Sequence, residues 1–268
     1  MAATKQLKRK RSQDDIENIF IGRWQKIKFC VDKNDWQMVL NLIDSGVSVH
    51  SGDDYALRMS AEKGNLQMVK DLLIRGANIH ASACYAFRKA AINGHLEMAK
   101  YLLELGADVH AVDDEALRMS AANGLLNMVK HLVDNGADIH ARNEEALRFS
   151  AFNGHFEVVK YLVESGADIH AQDDRTLRFS IRKNGKLEIV KFLVTKGADI
   201  HAVGDQALRY SAFYGHLDMV QFLLECGADI HANDDDALRQ STKKGHTHVV
   251  EYINEYCAKK LKENNIAN

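Results

Sequence analysis

An all-α solenoid, made of stacked antiparallel helix pairs with short connecting loops, is the fold the sequence predicts, and three observations predict it. Histidine stands at 50, 80, 110, 140 and 170, then at 201 and 231, so the text repeats every 30 residues with one insertion. A fixed period of roughly 20–50 residues is the mark of a stacked repeat. Fourteen of the 17 glycines fall at two phases of that repeat, one series running from Gly64 through Gly124 to Gly245, the other from Gly46 through Gly136 to Gly227. Glycines so placed end helices, where a left-handed residue is needed. Between them lie two short apolar-periodic stretches, 115–122 and 126–134 in the unit AVDDEALRMSAANGLLNMVKHLVDNGADIH.

Taken in order, residues 1–19 are polar and hold the run Lys8-Arg9-Lys10-Arg11, which predicts a disordered basic arm. Residues 20–50 read as a divergent N-terminal capping repeat. Trp24, Ile27 and Cys30 take the first-helix apolar places, Trp36, Met38, Val39, Leu42 and Ile43 the second, and Asn34 stands for the usual glycine. Six regular repeats follow at 51–80, 81–110, 111–140, 141–170, 171–201 and 202–231; the fifth carries one extra residue in Arg182-Lys183-Asn184, expected to bulge its helix–helix turn. Residues 232–268 form a C-terminal capping repeat and tail, in which Cys257 replaces the terminating glycine and the helix is expected to run on. Terminal repeats of a solenoid are atypical because one face meets water. In helix two, Leu96, Met98, Ala99, Leu102 and Leu103 form the buried stripe; in helix one, Ser120-Ala121, Ser150-Ala151 and Ser211-Ala212 let neighbouring helices approach closely.

The segments GHLEMAKYLLELGADVHA at 94–111 and GHFEVVKYLVESGADIHA at 154–171 resemble the second half of an ankyrin repeat, and the motif recurs in phase over roughly residues 21–257. The 30-residue, A-L-R variety seen here is similar to arrays abundant in giant viruses that infect amoebae. The resemblance implies helix pairs, a projecting hairpin-like loop between repeats and a concave surface that binds other proteins. Two departures are visible. Three residues are missing after G-A-D-I-H-A relative to the usual period of about 33, and the family's T-P-L-H is replaced by E-A-L-R at 115–118 or Tyr55-Ala56-Leu57-Arg58. Asp54, Asp114, Asp174, Asp205 and Asp235 stand where they can brace helix one as N-caps, with Glu144 in the same place and Cys84 interrupting the series.

Arg58, Arg88, Arg118, Arg148, Arg178, Arg209 and Arg239 recur unit by unit. They read either as a cationic ladder for an acidic partner or, favoured by the accompanying Asp pairs, as a structural ladder forking onto carboxylates or loop carbonyls of neighbouring repeats. The seven G-A-D-I-H histidines are too far apart for a shared metal, at ~10 Å per repeat against ligand distances of ~2 Å, and are expected to hydrogen-bond their loops. Neither a metal nor another cofactor is implied. The serines at 60, 120, 150, 180, 211 and 241 occupy packing positions with no base or orienting acid in pattern, so no enzyme activity is expected.

Residues just before the helix-one glycine vary freely, and in the ankyrin family this edge faces the groove. Phe152, Phe213 and Tyr214, with Ile92, are therefore the candidate partner-binding residues, the competing reading being that their rings tuck between units. A net charge of −2 argues against a nucleic-acid-coating protein, and no apolar run suits a membrane helix or signal peptide. Four unpaired cysteines suit an intracellular chain. The expectation is a monomeric, non-catalytic scaffold binding a protein partner of unknown identity, cytoplasmic with nuclear entry if Lys8, Arg9, Lys10 and Arg11 act as an import signal. The alternatives are a nuclear or nucleic-acid-associated factor using that arm, or an adaptor to ubiquitin machinery.

Overall fold

The computed structural model describes residues 13–182 and 186–267, with side chains described between 22 and 263. Among the described residues there are helices and turns and no strand. Two compact units divide the chain, Met1–Ala111 and Val112–Asn268. The first holds α1 (Gln13–Asp32), α2 (Trp36–Asp44), α3 (Ser51–Glu62), α4 (Leu66–Ile74), α5 (Ala81–Ile92) and α6 (Leu96–Glu104). The second holds α7 (Ala111–Ala122), α8 (Leu126–Asp134), α9 (Ala141–Asn153), α10 (Phe156–Glu164), α11 (Ala171–Ser180), α12 (Leu187–Thr195), α13 (Ala202–Tyr214), α14 (Leu217–Glu225), α15 (Ala232–Lys244) and α16 (Thr247–Ala267). In the second unit α9, α11, α13 and α15 pack side by side as one layer, and α8, α10, α12, α14 and α16 as the other.

The layers follow from the apolar spacing. Met128, Val129 and Leu132 of α8 are buried, as are Val158, Val159 and Leu162 of α10, and each such side chain contributes roughly 1.5–3 kcal/mol when fully buried. From helix one come Ala116, Leu117 and Ala121, or Ala146, Leu147 and Ala151. The serine between them is buried without penalty because its hydroxyl bonds back along its own helix: Ser150 Oγ donates to Leu147 O at 2.9 Å and Ser180 Oγ to Leu177 O at 2.7 Å. Both helices end in a Schellman pattern. After α8, Gly136 N donates to Val133 O and Ala137 N to Leu132 O, each at 3.0 Å, which uses up carbonyls the helix end would otherwise leave bare.

Between repeats the structure departs from the expected projecting loop. Where longer relatives have room for a finger, this chain makes one turn of left-handed backbone. Val112 (φ 58, ψ 50), Asp113 (φ 53, ψ 55) and Asp114 (φ 55, ψ 37) are all left-handed, and so are the same three positions at the start of every odd-numbered helix from α3 to α15. The turn closes with an i→i−4 bond, as from Glu144 N to His140 O at 3.3 Å. L-residues resist this conformation by about 1–2 kcal/mol each, with Gly, Asn and Asp the most tolerant. The chain places those types there: Gly52-Asp53-Asp54, Asp113-Asp114, Asn143, Asp173-Asp174, Gly204-Asp205 and Asn233-Asp234-Asp235.

Val112 and Val203 are misfits, β-branched residues with positive φ and exposed side chains. Asn233 occupies the equivalent place in the last repeat. Val112→Asn is therefore expected to stabilise the fold by about 0.5–1 kcal/mol, read as a higher urea midpoint; a lower midpoint would contradict the left-handed assignment.

The ends differ from expectation in one respect. Residues 13–19, read from sequence as part of the arm, are the opening turns of α1. Ile27, Cys30 and Val31 of α1 and Val39 of α2 are buried, while Met38 is exposed. Trp24 packs edge-on against Tyr55 at 5.2 Å. Asn34 adopts φ 58, the conformation that glycine supplies in later repeats. At the other end α16 continues past Cys257 without a break. In the repeat with the extra residue, α11 stops at Ser180; the expected bulge falls on residues 183–185, outside the described ones.

Candidate functional site

The recurrent arginines are tied to the left-handed turn of their own repeat rather than to a neighbour's loop. Arg118 Nε donates to Asp113 O at 2.7 Å and Nη2 to Val112 O at 2.9 Å. Arg58, Arg88, Arg148, Arg178 and Arg209 make the same pair of bonds, five and six residues back. A left-handed turn points carbonyls where no helical N–H can reach them, and the planar guanidinium fork meets two at once. Hydrogen bonds of this charged kind contribute roughly 1.5–3 kcal/mol, the size needed to hold such a turn.

The third arginine nitrogen reaches the next repeat. Arg118 Nη1 pairs with Glu145 at 2.9 Å, Arg209 Nη1 with Asp236 at 3.2 Å, and Arg178 Nη1 bonds Gln206 Oε1. Burial works to raise Asp236, but hydrogen bonds from Gln240, Arg239 and Arg209 outweigh it and hold the carboxyl below its ordinary value. In the first unit a tyrosine takes this acceptor place, and the Arg58 guanidinium lies 5.2 Å from the Tyr85 ring. Burial, then a hydrogen bond to Glu62, pushes the Tyr85 phenol up.

The acidic residues expected as N-caps bond elsewhere. Asp54 Oδ1 accepts Asn78 N at 2.8 Å, Asp174 Oδ1 accepts Asp199 N at 2.9 Å and Asp205 Oδ1 accepts Asp229 N at 2.8 Å, each in the turn that ends its own repeat. The same carboxylates meet Nδ1 of the G-A-D-I-H histidine four residues back, His50 at 3.1 Å, His170 at 3.1 Å and His201 at 3.0 Å. Cys84 does not interrupt the series: its Sγ lies 3.4 Å from His80 Nδ1 and accepts Asp108 N at 3.4 Å. No helix-start bond is needed from these groups, because the preceding turn already closes backbone to backbone. Among the described residues no group of three His, Cys, Asp or Glu side chains is arranged to hold a metal.

His140 has the tightest of these contacts, Nδ1 to Glu144 Oε1 at 2.5 Å, and that hydrogen bond holds its imidazole above the ordinary value. A histidine raised on folding stabilises fully below its unfolded value of about 6.5 and stops doing so as pH climbs through the folded value. Since the ring is half exposed, the increment should stay under ~1 kcal/mol. Glu144→Gln is expected to lower the His140 titration midpoint seen by NMR, and an unchanged midpoint would refute the pairing.

The candidate contact residues lie toward the C-terminal ends of helix one. Phe152 is 39% exposed and 6.2 Å from the Phe179 ring. Phe213 and Tyr214 are half-buried and stack edge-on at 4.9 Å, with Lys244 Nζ 4.4 Å from the Phe213 ring centre. Ile92, at the equivalent place in the first unit, is half-buried. Met59, Met119, Phe149, Phe179 and Tyr210 are half-buried as well. In the second unit the structure thus brings Phe152, Phe179, Tyr210, Phe213 and Tyr214 onto successive helices of one layer. Sequence inspection missed Arg182 on this edge. Its guanidinium carbon sits 4.3 Å from the Phe179 ring centre and 5.9 Å from that of Tyr210. The signal was available, since Arg182 aligns with Phe152 and Phe213. The Lys8-Arg9-Lys10-Arg11 run lies outside the described residues. No described helix is long and apolar enough to cross a membrane.

A family profile described as ankyrin repeats in three copies matches residues 27–113, 89–173, 150–234 and 177–265, overlapping windows that extend from the first capping helix into α16. A search of curated proteins gives no match. Helix pairs in two layers, glycine-ended helices and the repeated profile agree, and the chain belongs to the ankyrin-repeat family, whose repeats generally mediate protein–protein interaction.

Proposed function

We propose that this chain is a non-catalytic scaffold that binds a partner protein along the helix-one edge of its second unit, with Phe152, Phe213 and Tyr214 as anchors. The observation that carries this reading is the run of aromatic rings on successive helices, with Phe152 left exposed. Exposed aromatic clusters flanked by cations are the commonest energetic centres of protein interfaces. The packing positions repeat from unit to unit while these positions differ, which suits a surface tailored to one partner. Ile92 belongs to the same edge in the first unit and is assigned a secondary contact.

The reading is tested by placing a photo-crosslinking phenylalanine analogue at position 152 and identifying what it captures in cells. Capture of a defined protein, lost when Phe213 and Tyr214 are both alanine while circular dichroism is unchanged, is the expected result. Capture that survives the double substitution removes these residues from the site.

A further inference from the structure

The arginine ladder is broken at one junction. From repeat to repeat, the arginine Nη1 is received by the residue that opens the next right-handed helix: Glu145 receives Arg118, Gln206 receives Arg178 and Asp236 receives Arg209. The residue in that place opposite Arg148 is Arg175. Arg148 keeps its bonds to Asn143 O and Arg142 O, at 3.0 and 3.2 Å, but among the described residues its Nη1 has no partner. The side chain is nonetheless only 8% exposed. Burial, then the nearby Arg175 charge, works against its protonation and outweighs the support of Glu145 and Glu144. Arg175 in turn gives Nη1 to Gln172 Oε1 at 2.7 Å and lies 4.7 Å from the Phe179 ring centre. Arg182 approaches the same ring at 4.3 Å, and its buried Nε has no hydrogen-bond partner among the described residues.

Two guanidinium groups, of Arg175 and Arg182, therefore lie on one phenylalanine ring, and Arg148 stands within reach of the Arg175 charge. Among the nearby carboxylates, Glu145 pairs with Arg118 at 2.9 Å, Asp174 with His170 at 3.1 Å, and Glu144 with His140 at 2.5 Å through Oε1, its buried Oε2 making no hydrogen bond among the described residues. Like charges held together in a half-buried setting repel, and the buried Nε of Arg182 goes unsatisfied. An anion supplied from outside would cure both faults, and guanidinium forks fit carboxylates bidentately.

We propose that Arg175 and Arg182, both on the Phe179 ring, form with the neighbouring Arg148 a carboxylate-binding pocket for an acidic segment of the partner protein. The proposal rests on the helix-one edge being the binding surface and gives the chemistry of its occupant. A protein segment fits better than a nucleic acid. The basic patch is short, Asp236 and Glu145 flank it, and the chain is net negative, whereas a phosphate backbone calls for a long cationic track. Phe152 and Tyr210 beside the pocket would take an apolar or aromatic residue next to the acidic ones.

The experiment uses the full chain and a fluorescein-labelled twelve-residue peptide of glutamates around a central phenylalanine. Controls are its glutamine counterpart, a phosphoserine counterpart and a single-stranded DNA 12-mer. Arg175→Glu restores the ordinary acceptor to Arg148. It is expected to raise the melting temperature and to weaken glutamate-peptide binding by at least about tenfold, about 1.4 kcal/mol; Arg182→Ala should weaken binding while keeping the fold. Binding of the glutamate peptide, weakened by salt and absent for the glutamine peptide, supports the proposal. No binding, binding unaltered by Arg175→Glu, or stronger binding of the phosphoserine peptide or DNA overturns it. The Phe152 crosslink, made in cells with the natural partner, judges the surface separately: a partner captured there and still captured by Arg175→Glu leaves the surface standing and removes only the acidic chemistry.

Discussion

Replacing Arg118 with alanine should destabilise the chain by roughly 3–5 kcal/mol, the usual consequence of removing one member of a buried ion pair. Arg118 is 3% exposed, and its three contacts are the two carbonyls of the left-handed turn and the Glu145 carboxylate. Without the guanidinium, Glu145 loses its closest cation and two carbonyls lose their donors. The comparison that makes the test specific is Arg239→Ala. Arg239 bonds Asp234 O at 2.8 Å and Asp236 at 2.9 Å, but its side chain is 56% exposed, so water can replace what is lost and the effect should stay under ~1 kcal/mol. Arg118→Lys should fall near the alanine variant, because an ammonium cannot meet both carbonyls and the carboxylate in the fork geometry. Urea unfolding read by circular dichroism measures all three. Equal losses for Arg118 and Arg239 would mean that exposure and the turn carbonyls do not set the ladder's contribution.

Gly124→Ala is expected to cost about 2–3 kcal/mol, more than a surface glycine change normally does. Gly124 has φ +73, which an alanine resists, and an added Cβ would sit 2.5 Å from His155 Nδ1. That ring cannot simply move away, since His155 Nε2 lies 3.0 Å from Ala122 O and links the two repeats. The link recurs where His95 meets Glu62 O at 3.3 Å and His246 meets Phe213 O at 3.0 Å. A double-mutant cycle separates the two causes. In a His155→Ala background the steric part disappears and Gly124→Ala should cost only the backbone share, about 1–2 kcal/mol. Strict additivity would show that the histidine does not pack on the glycine.

Much of this architecture was legible in the residues. The positions of α3 to α15 follow from glycine phase and apolar spacing, and Asn34 could be recognised as a stand-in for glycine because asparagine tolerates a left-handed backbone. The turn between repeats was harder. Asp113-Asp114 and Asp173-Asp174 look like N-caps because aspartate favours both places, and sequence alone does not separate a cap from a left-handed residue. Cys84 looked like an interruption because cysteine is no substitute for a capping carboxylate, yet it serves where a soft acceptor meets a histidine and a backbone N–H. On the proposed binding edge, Phe152, Phe213 and Tyr214 stood out as aromatics at variable positions. Arg182 shares their place in the repeat but is not aromatic, and its contact with two rings, one in the next repeat, is visible only in the structure.

Repeat length, helix pairing, the helix-ending glycines and the buried stripes were determined by the sequence alone, because each is a local pattern and the same pattern recurs in phase. Tertiary structure alone decided the left-handed turn, the carbonyls that take the arginines, and the bridge that Asp54, Asp174 and Asp205 make from the preceding repeat's histidine to a backbone N–H at the end of their own repeat. It alone showed that Arg148 and Arg175 come within reach of each other's charge at the junction where the other repeats place an acceptor. The physical reason is shared. A shortened loop leaves carbonyls and amides that no helix can satisfy, and which side chain reaches them depends on the repeat stacked alongside.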